Sequence, residues 1–303
     1  MPSLLRAIAA RGRDPKAAQR AALMWRVLSG LALCACAFAV LRLTTVSAGL
    51  SSLTTMAIAI SISLIASAAV ASFDELSDLS EQRARDIDAQ KIFERLQRNE
   101  APPRYAVYLR PFSSTNQIDT VAVSAMMSGI GGSALGFSVT RFELEQQIER
   151  ATRPLGPLVC LGEGLEHVGA GRLEVSDEAW REAVLSLCAK AALIVMLPSS
   201  RPGTLWEIEH ILDTDAVTRT VFIDPPNSVL SDKRRYDQAG EWRAVRDAFA
   251  ARGFELPADN KVGRLLFFGP DRKPQMTALL DIDAEDNIRK FFRSVIQRQG
   301  QAT

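Results

Sequence analysis

Residues 191–212 read AALIVMLPSSRPGTLWEIEHIL, and this stretch decides the fold of the chain. Its apolar run, 192–197, is short, rich in Ile and Val, and followed by a turn of Pro, Ser and Gly. Such a run predicts a strand that is buried on both faces of a parallel sheet. The residues after the turn predict the start of a helix. Strands that alternate with helices are typical of an α/β fold.

The polar residues of this turn stand where an α/β fold binds its ligands. In open α/β sheets, ligands bind in the crevice outside the carboxyl ends of the strands. We therefore expect a site directly after this strand. Its candidate residues are Ser199, Ser200, Thr204, Trp206 and Glu207.

Residues 203–208 read GTLWEI, which resembles the Gly-Thr-x-aromatic-Glu-Ile signature of nucleoside 2-deoxyribosyltransferases. This resemblance implies that Glu207 attacks the anomeric carbon of a nucleoside. The wider order is an apolar strand, Pro-Ser, and then Trp and Glu at the start of a helix. That order is similar to TIR-type domains, in which a glutamate supports NAD cleavage. Over 105–225, the chain also resembles bacterial two-helix membrane proteins with a TIR-like cytoplasmic domain.

Two positions differ from these signatures. Residues 199–202 read SSRP, where deoxyribosyltransferases usually carry an aspartate. TIR-type domains have their glutamate one helical turn after the Trp, and this chain has His210 there. The resemblance therefore leaves two candidates for a catalytic carboxylate, Glu207 and Glu209.

Composition excludes several classes of function. Among 303 residues, 36 are Lys or Arg and 35 are Asp or Glu, and this balance argues against nucleic acid as a partner. The cysteines lack C-x-x-C spacing and stand at Cys34, Cys36, Cys160 and Cys188. The two histidines, His167 and His210, form no sequence cluster. We therefore expect no metal site, no resident cofactor and no Ser-His-Asp triad.

The N-terminal region predicts a membrane hairpin. Residues 43–73 contain no charge, and that run exceeds the roughly 20 residues that cross a bilayer. Residues 21–43 are apolar except for Arg26 and Arg42 near the ends, where long side chains reach the headgroups. We predict two transmembrane helices over 21–73, with small residues between them. A cleaved signal peptide is the alternative for the first segment, because 46–48 resembles a cleavage site.

Charge predicts the orientation of this hairpin. The basic segment 1–20 contains Arg6, Arg11, Arg13, Lys16 and Arg20, whereas the connection between the helices has only Arg42. The positive-inside rule then assigns the N-terminus to the cytoplasm, and two crossings return the chain there. We expect a multi-pass protein of the inner (plasma) membrane with both termini cytoplasmic and the lipid bilayer as a partner.

Residues 74–100 are charged and predict a connector helix. This helix either packs on its own domain or self-associates, which would give a homo-oligomer through the transmembrane and connector helices. Pro102 and Pro103 mark a domain boundary. We assign 101–303 to a cytoplasmic α/β domain.

The α/β domain shows a strand and helix alternation. Predicted strands are 105–109, 157–161, 192–197, 221–223 and 264–268. Predicted helices are 140–153, capped by Thr140 with Glu143, then a helix from Ser176, then 241–252 and 284–297. The rhythm implies right-handed crossovers and a doubly wound, mostly parallel sheet of TIR-like or flavodoxin-like type.

Three further features bear on the site. Arg110 follows the first strand and could bind a phosphate or carboxylate with two hydrogen bonds. Asp224 follows a later strand and could reach a ribose hydroxyl, with turn capping as the alternative. Residues 128–136, SGIGGSALG, lack the Lys-Ser/Thr of a P-loop and predict a flexible insertion that could act as a lid.

Two hypotheses for function follow. In the first, the domain binds a nucleotide ligand or a partner and acts in signalling. The candidate residues then have structural roles: Thr204 or Ser200 caps a helix, Glu207 lies in the first turn of that helix, and Trp206 fills the core. In the alternative, the protein is an N-glycosidase or transferase acting on NAD or a nucleotide through Glu207. Transport is disfavoured, because the two apolar segments carry no ionisable residue near their centres.

In the enzymatic alternative, the other candidates hold the substrate. Thr204 and Ser200 would hold sugar hydroxyls, Trp206 would stack on a base, and Arg110 would hold a phosphate.

Overall fold

The computed structural model describes residues 14–46, 52–110, 119–123, 139–162, 168–224, 238–257, 263–280 and 285–301. The chain divides into two units. One unit comprises Met1–Asp88 with Leu165–Gly171, and the other comprises Ala89–Gly164 with Arg172–Thr303.

The first unit contains α1 (Pro15–Val46) and most of α2 (Ser52–Gln97), whose residues from Ala89 onward belong to the second unit. Both are long and apolar enough to cross a membrane by length and composition, which confirms that part of the prediction. α2 continues without a break from the apolar segment through most of the predicted connector, as far as Gln97. No proline or glycine stands between Ser52 and Gln97 to interrupt it.

Polar and aromatic contacts join α1 to α2 at one end of the pair. Trp25 stacks on Phe73 with ring centroids 5.9 Å apart. Arg26 donates hydrogen bonds to the hydroxyl of Ser77 at 3.1 Å and to a carboxylate oxygen of Glu81 at 2.6 Å. Along the apolar segments, large side chains such as those of Phe38 and Leu64 are exposed. This is the pattern expected of helices that face lipid rather than water.

The second unit contains the strands and the remaining helices. The strands are β1 (Ala106–Leu109), β2 (Asp119–Val123), β3 (Val139–Glu143), β4 (Leu158–Leu161), β5 (Gly171–Leu173), β6 (Leu193–Met196), β7 (Thr220–Asp224), β8 (Arg264–Phe268) and β9 (Pro274–Leu279). The helices are α3 (Leu144–Thr152), α4 (Trp180–Lys190), α5 (Pro202–Leu212), α6 (Gln238–Ala250) and α7 (Glu285–Gln301). Short 3-10 helices cover Arg153–Leu155 and Asp215–Arg219.

Within the described residues, seven strands form one mixed sheet in the order β5-β4-β1-β6-β7-β8-β9. β1 pairs in parallel with both β4 and β6, and β6 pairs in parallel with β7. β8 and β9 extend the sheet by antiparallel pairing. The mostly parallel α/β sheet expected from the sequence is thus confirmed, with an antiparallel edge that the pattern did not predict.

The core lies around the central strands. All four residues of β1, β4 and β6 are buried, which is why these strands read as unbroken apolar runs. Ala89 and Ile92 of α2 belong to the same core. The end of α2 therefore packs on the α/β domain, and that core begins upstream of Pro102.

Two predicted helix starts are wrong. Residues 139–143 form β3, which pairs antiparallel with β2, so Thr140 does not cap a helix. Val, Thr and Phe favour a strand when a partner is present, and β2 supplies that partner. The next helix, α4, begins at Trp180 rather than at Ser176. Strands β5 and β9 were not predicted, and residues 128–136 lie outside the described residues.

Candidate functional site

The strand order reverses on either side of β1. The chain passes from β1 to β4 on one side and later returns to β6 on the other. The backbone N–H of Leu197 donates to the carbonyl of Leu109 at 2.9 Å, so the carboxyl ends of β1 and β6 are adjacent. Arg110 and the turn after β6 begin at this edge. Such a reversal is where open α/β sheets form a ligand crevice.

Arg110 belongs to a buried ion cluster. Its Nη1 lies 3.3 Å from Oε2 of Glu145, and both side chains are 7% exposed. Nη2 of Arg172 lies 3.6 Å from Oε1 of the same carboxylate. Glu145 is in the first turn of α3, and Arg172 is in β5. One carboxylate is therefore held between two guanidinium groups.

Gly162, directly after β4, lies next to the Arg110 side chain. A Cβ at Gly162 would lie 3.7 Å from Nη2 of Arg110. Sequence reasoning found Arg110 but missed Glu145 and Arg172. Each of the three comes from a different element, so no local pattern could reveal the cluster. An acidic residue in the first turn of a helix was the only signal at Glu145, and it is common for other reasons.

The turn after β6 does not have the helix cap that the sequence predicts. Ser199 is buried, and its hydroxyl accepts a hydrogen bond from the backbone N–H of Arg201 at 3.2 Å. Arg201 is the N-cap of α5, and among the described residues no side chain caps this helix. The predicted capping by Thr204 or Ser200 is therefore wrong. Pro202, which is well suited to the first helical position, sets the start of α5 instead.

Glu207 lies on the inward face of α5 and is 4% exposed. Within the described part of the chain, its Oε2 atom has no hydrogen-bond partner. Burial raises the pKa of Glu207 to about 8, because the charged form loses its hydration. Burial, and next the charge of Glu207, raise the pKa of the Cys188 thiol on α4 to about 12. The carboxyl thus lies near α4 in an apolar setting.

The expected position of Glu207 in the first helical turn is wrong. It is the sixth residue of α5, and the first turn of this helix has no acidic residue. The N-terminal end of the helix dipole acts only over the first turn, so it does little to hold the charged form of Glu207.

Glu209 has different surroundings. Its side chain is 46% exposed, and Oε2 lies 3.6 Å from Nη2 of Arg252. Arg252 also contacts Asp213 at 2.8 Å. Residues two apart on a helix point to different sides. The two candidate carboxylates therefore do not form a pair.

Trp206 lies in a half-buried aromatic cluster. Its ring meets that of Trp180 edge to face, with centroids 5.1 Å apart, and stacks on His210 at 6.1 Å. The guanidinium of Arg181 lies over both Trp rings, at 5.3 and 5.5 Å from their centroids. Trp206 also packs against the core. This ring joins α4 to α5.

The remaining candidates complete the edge. Ser200 is half-buried and Thr204 is buried. Asp224 ends β7, is 3% exposed, and pairs in register with Arg264 of β8. The structure brings Arg110 and the turn at Ser199 to neighbouring strand ends. It directs Thr204 and Glu207 into the interior.

The described residues contain no group of three His, Cys, Asp or Glu that could hold a metal ion. No protein-family model, curated protein or solved structure matches the chain. The chemistry open to the described residues is anion recognition at the Arg110 cluster and proton binding at Glu207.

Proposed function

We propose that this protein is anchored in the plasma membrane and carries a TIR-like, doubly wound α/β domain in the cytoplasm. The domain binds a nucleotide-type ligand at the carboxyl edge of its sheet and acts in signalling. The observation that carries this proposal is Arg110, a buried guanidinium at the carboxyl end of β1, where the strand order reverses.

A nucleotide suits the chemistry of this edge. A guanidinium matches the geometry of a phosphate through two parallel hydrogen bonds. The carboxylate of Glu145 pairs with Arg110, so little side-chain entropy remains to be lost when a ligand binds. Ser200 supplies a half-buried hydroxyl at the end of β6, and such a group bonds ribose hydroxyls.

The anchor is supported by side-chain exposure. Phe38 is 60% exposed and Leu64 is 66% exposed within the apolar segments. Stacked Trp25 and Phe73 stand beside Arg26 and Asp74 at the end of those segments. Aromatic side chains next to charged ones are typical of the membrane interface. The basic N-terminal segment supports a cytoplasmic orientation for both termini.

The second candidate function is cleavage or transfer at the N-glycosidic bond of NAD or a nucleotide, with Glu207 as the catalytic carboxylate. One observation favours it: Glu207 is a buried carboxyl with a strongly raised pKa, and such groups cluster at functional sites. Two observations rank it second. A pKa of about 8 leaves roughly ten protonated molecules for each ionised one at pH 7, whereas a nucleophile must be ionised. Its 4% exposure also gives a sugar little access.

The test uses the full chain, because Ala89 and Ile92 of α2 belong to the core of the α/β domain. The protein is incubated with NAD and a panel of nucleotides and nucleosides. Thermal unfolding reports binding, and chromatography reports released base. We expect a nucleotide to raise the Tm without base release. Arg110→Lys should abolish the rise, because an ammonium cannot form the two parallel bonds. Arg252→Lys, at a surface ion pair, is the matched control and should keep it.

The remaining outcomes separate the two functions. Base release that is lost in Glu207→Gln but kept in Glu209→Gln would establish the enzyme. A Tm that no compound in the panel raises, with no base released, would contradict both nucleotide functions and favour a protein partner.

A further inference from the structure

Two side chains of α2 bind a backbone segment that comes from much later in the chain. The side-chain amide of Gln82 accepts a hydrogen bond from the backbone N–H of Gly169 at 2.8 Å. The same amide donates one to the carbonyl of Ala170, also at 2.8 Å. Nη1 of Arg85 donates to the carbonyl of Gly169 at 2.6 Å. Three backbone polar groups of this short segment are therefore bound by α2.

This docking on α2 is buried. Gln82 is 2% exposed, and Gly169 and Ala170 are buried as well. Residues 168–170 belong to no helix or strand, so these hydrogen bonds take the place of those that a helix or a sheet would supply. A buried amide or carbonyl that loses its partner is strongly disfavoured, which makes a half-docked segment unfavourable. The segment therefore has two arrangements, docked on α2 or released from it.

The same network of contacts reaches α1. Oε1 of Glu81 accepts a hydrogen bond from Arg85 at 2.6 Å, and Oε2 accepts one from Arg26 of α1 at 2.6 Å. One carboxylate thus joins α1 to the arginine that binds the carbonyl of Gly169. If α1 shifts along α2, Arg26 leaves Glu81, and the carboxylate then attracts Arg85 alone. That attraction draws Arg85 away from the docked segment.

The docked segment continues directly into the Arg110 cluster. Gly171 begins β5, and the next residue of this strand is Arg172. Nη2 of Arg172 lies 3.6 Å from the carboxylate of Glu145, which also pairs with Arg110. Two guanidinium groups therefore divide the attraction of one carboxylate. If Arg172 moves away, Glu145 attracts Arg110 alone and competes more strongly with a phosphate for it.

We propose that the α1–α2 hairpin regulates the Arg110 site through residues 169–172. While the segment is docked, Arg172 shares Glu145, and Arg110 is available to a phosphate. Displacement of α1 releases the segment and lowers the affinity for the ligand. Networks of hydrogen bonds and ion pairs with two discrete arrangements can carry such coupling. By linkage, a bound ligand favours the docked arrangement and so acts on the membrane helices. This inference rests on the proposed function and explains how its anchor and its ligand site communicate.

Hydrogen–deuterium exchange of the full chain without ligand tests the link itself. The backbone N–H of Gly162, next to Arg110, donates to the carbonyl of Leu173 in β5 at 3.1 Å. Its exchange rate therefore reports whether β5 keeps its place beside the cluster. Gln82→Leu removes the docking hydrogen bonds of the amide. We expect this variant to exchange about tenfold faster at Gly162.

Two further variants complete the exchange experiment. Arg26→Gln changes an α1 side chain that is 59% exposed, so it keeps the test valid if Gln82→Leu does not fold. We expect it to raise the exchange rate at Gly162 severalfold, because Glu81 then draws on Arg85 alone. Gln90→Leu, at an exposed position of the same helix α2, is the matched control and should leave the rate unchanged.

A titration with NAD and with AMP, followed by the Tm, tests the regulation. In Gln82→Leu, the concentration that gives half of the Tm rise should increase about tenfold. In Arg26→Gln it should increase severalfold, and in Gln90→Leu it should match the parent. A role of Arg26 that is confined to the α1–α2 pair would not change this concentration.

The two measurements separate this inference from the proposed function. Unchanged exchange at Gly162 in both Gln82→Leu and Arg26→Gln would overturn the link, whatever NAD and AMP do. Faster exchange with unchanged affinity for the two probes would overturn the regulation and leave the proposed function standing. If neither probe raises the Tm of the parent, the regulation of their affinity is overturned together with the proposed function, while faster exchange in the two variants would still support the link.

Discussion

Glu145 at the start of α3 and Glu207 within α5 are both buried, with 6% and 4% of their surface exposed. Their surroundings differ. Glu145 lies between the guanidinium groups of Arg110 and Arg172, whereas Oε2 of Glu207 has no partner among the described residues. Opposite charges nearby offset the loss of hydration that burial imposes on a carboxylate, and no charged group among the described residues does the same for Glu207. The comparison teaches that neighbours, not burial, decide what a buried acid can do.

The largest effect is expected from breaking the Glu145 cluster. Glu145→Gln would leave two buried arginines without the carboxylate that joins them. Removing one partner from a buried ion pair costs about 3–5 kcal/mol. Urea unfolding followed by tryptophan fluorescence measures the loss. Glu149→Gln on the same helix is the control, because its pair with the exposed Arg153 contributes about 0.3–0.5 kcal/mol. Equal losses would mean that Glu145 does not hold the arginines.

The second effect is a pH dependence that the buried Glu207 should produce. Its pKa is raised to about 8 in the folded chain, so between the unfolded pKa and about 8 the folded state keeps a proton that the unfolded state loses. The unfolded state binds fewer protons there, and stability falls as pH rises. Below the unfolded pKa, both states are protonated and Glu207 does not lower the free energy of unfolding. Above about pH 8, both states are ionised and the lowering is complete.

Glu207→Gln removes this titration. At pH 5 the variant should match the parent, and at pH 8 it should be more stable by roughly 2–4 kcal/mol. Unfolding free energies of both proteins at the two pH values measure the difference. A constant difference between pH 5 and pH 8 would show that Glu207 does not titrate in this window and would remove the contrast with Glu145.

The smallest effect is expected at Glu209, which is 46% exposed beside Arg252. Glu209→Gln leaves Arg252 paired with Asp213, so the cost should be below about 1 kcal/mol. The same unfolding measurement applies, with added salt to screen the pair. A cost comparable to that of Glu145→Gln would indicate that exposure, too, is a poor guide to the role of these acids.

The strands of the central sheet were predictable because each buried strand is a continuous run of apolar residues in the sequence. The run at 192–197 contains β6, and 105–109 contains β1, since a strand covered on both faces needs apolar residues at every position. β3 was predicted as a helix, because its Thr and Glu also fit a helix cap. Pairing with β2, which is distant in sequence, decides between the two.

The candidate site was predictable only in part. Arg110 and Ser199 were found because each follows an apolar run. Glu145 and Arg172 were missed, since their relation to Arg110 exists only after three elements pack together. Glu207 was found by its resemblance to a catalytic glutamate, but the same letters could not show that α5 turns it towards Cys188.

The amino-acid sequence by itself determined two long apolar helices, an α/β domain, and the strands at its centre. These follow from length, composition and periodicity, which act along the chain. Tertiary structure alone decided the antiparallel edge that ends at β9, the two arginines around Glu145, and the isolation of Glu207. The charge of a buried acid and the pairing of an edge strand depend on groups that are distant in sequence. These groups become neighbours only in the folded chain, where they change the hydration and Coulomb energies.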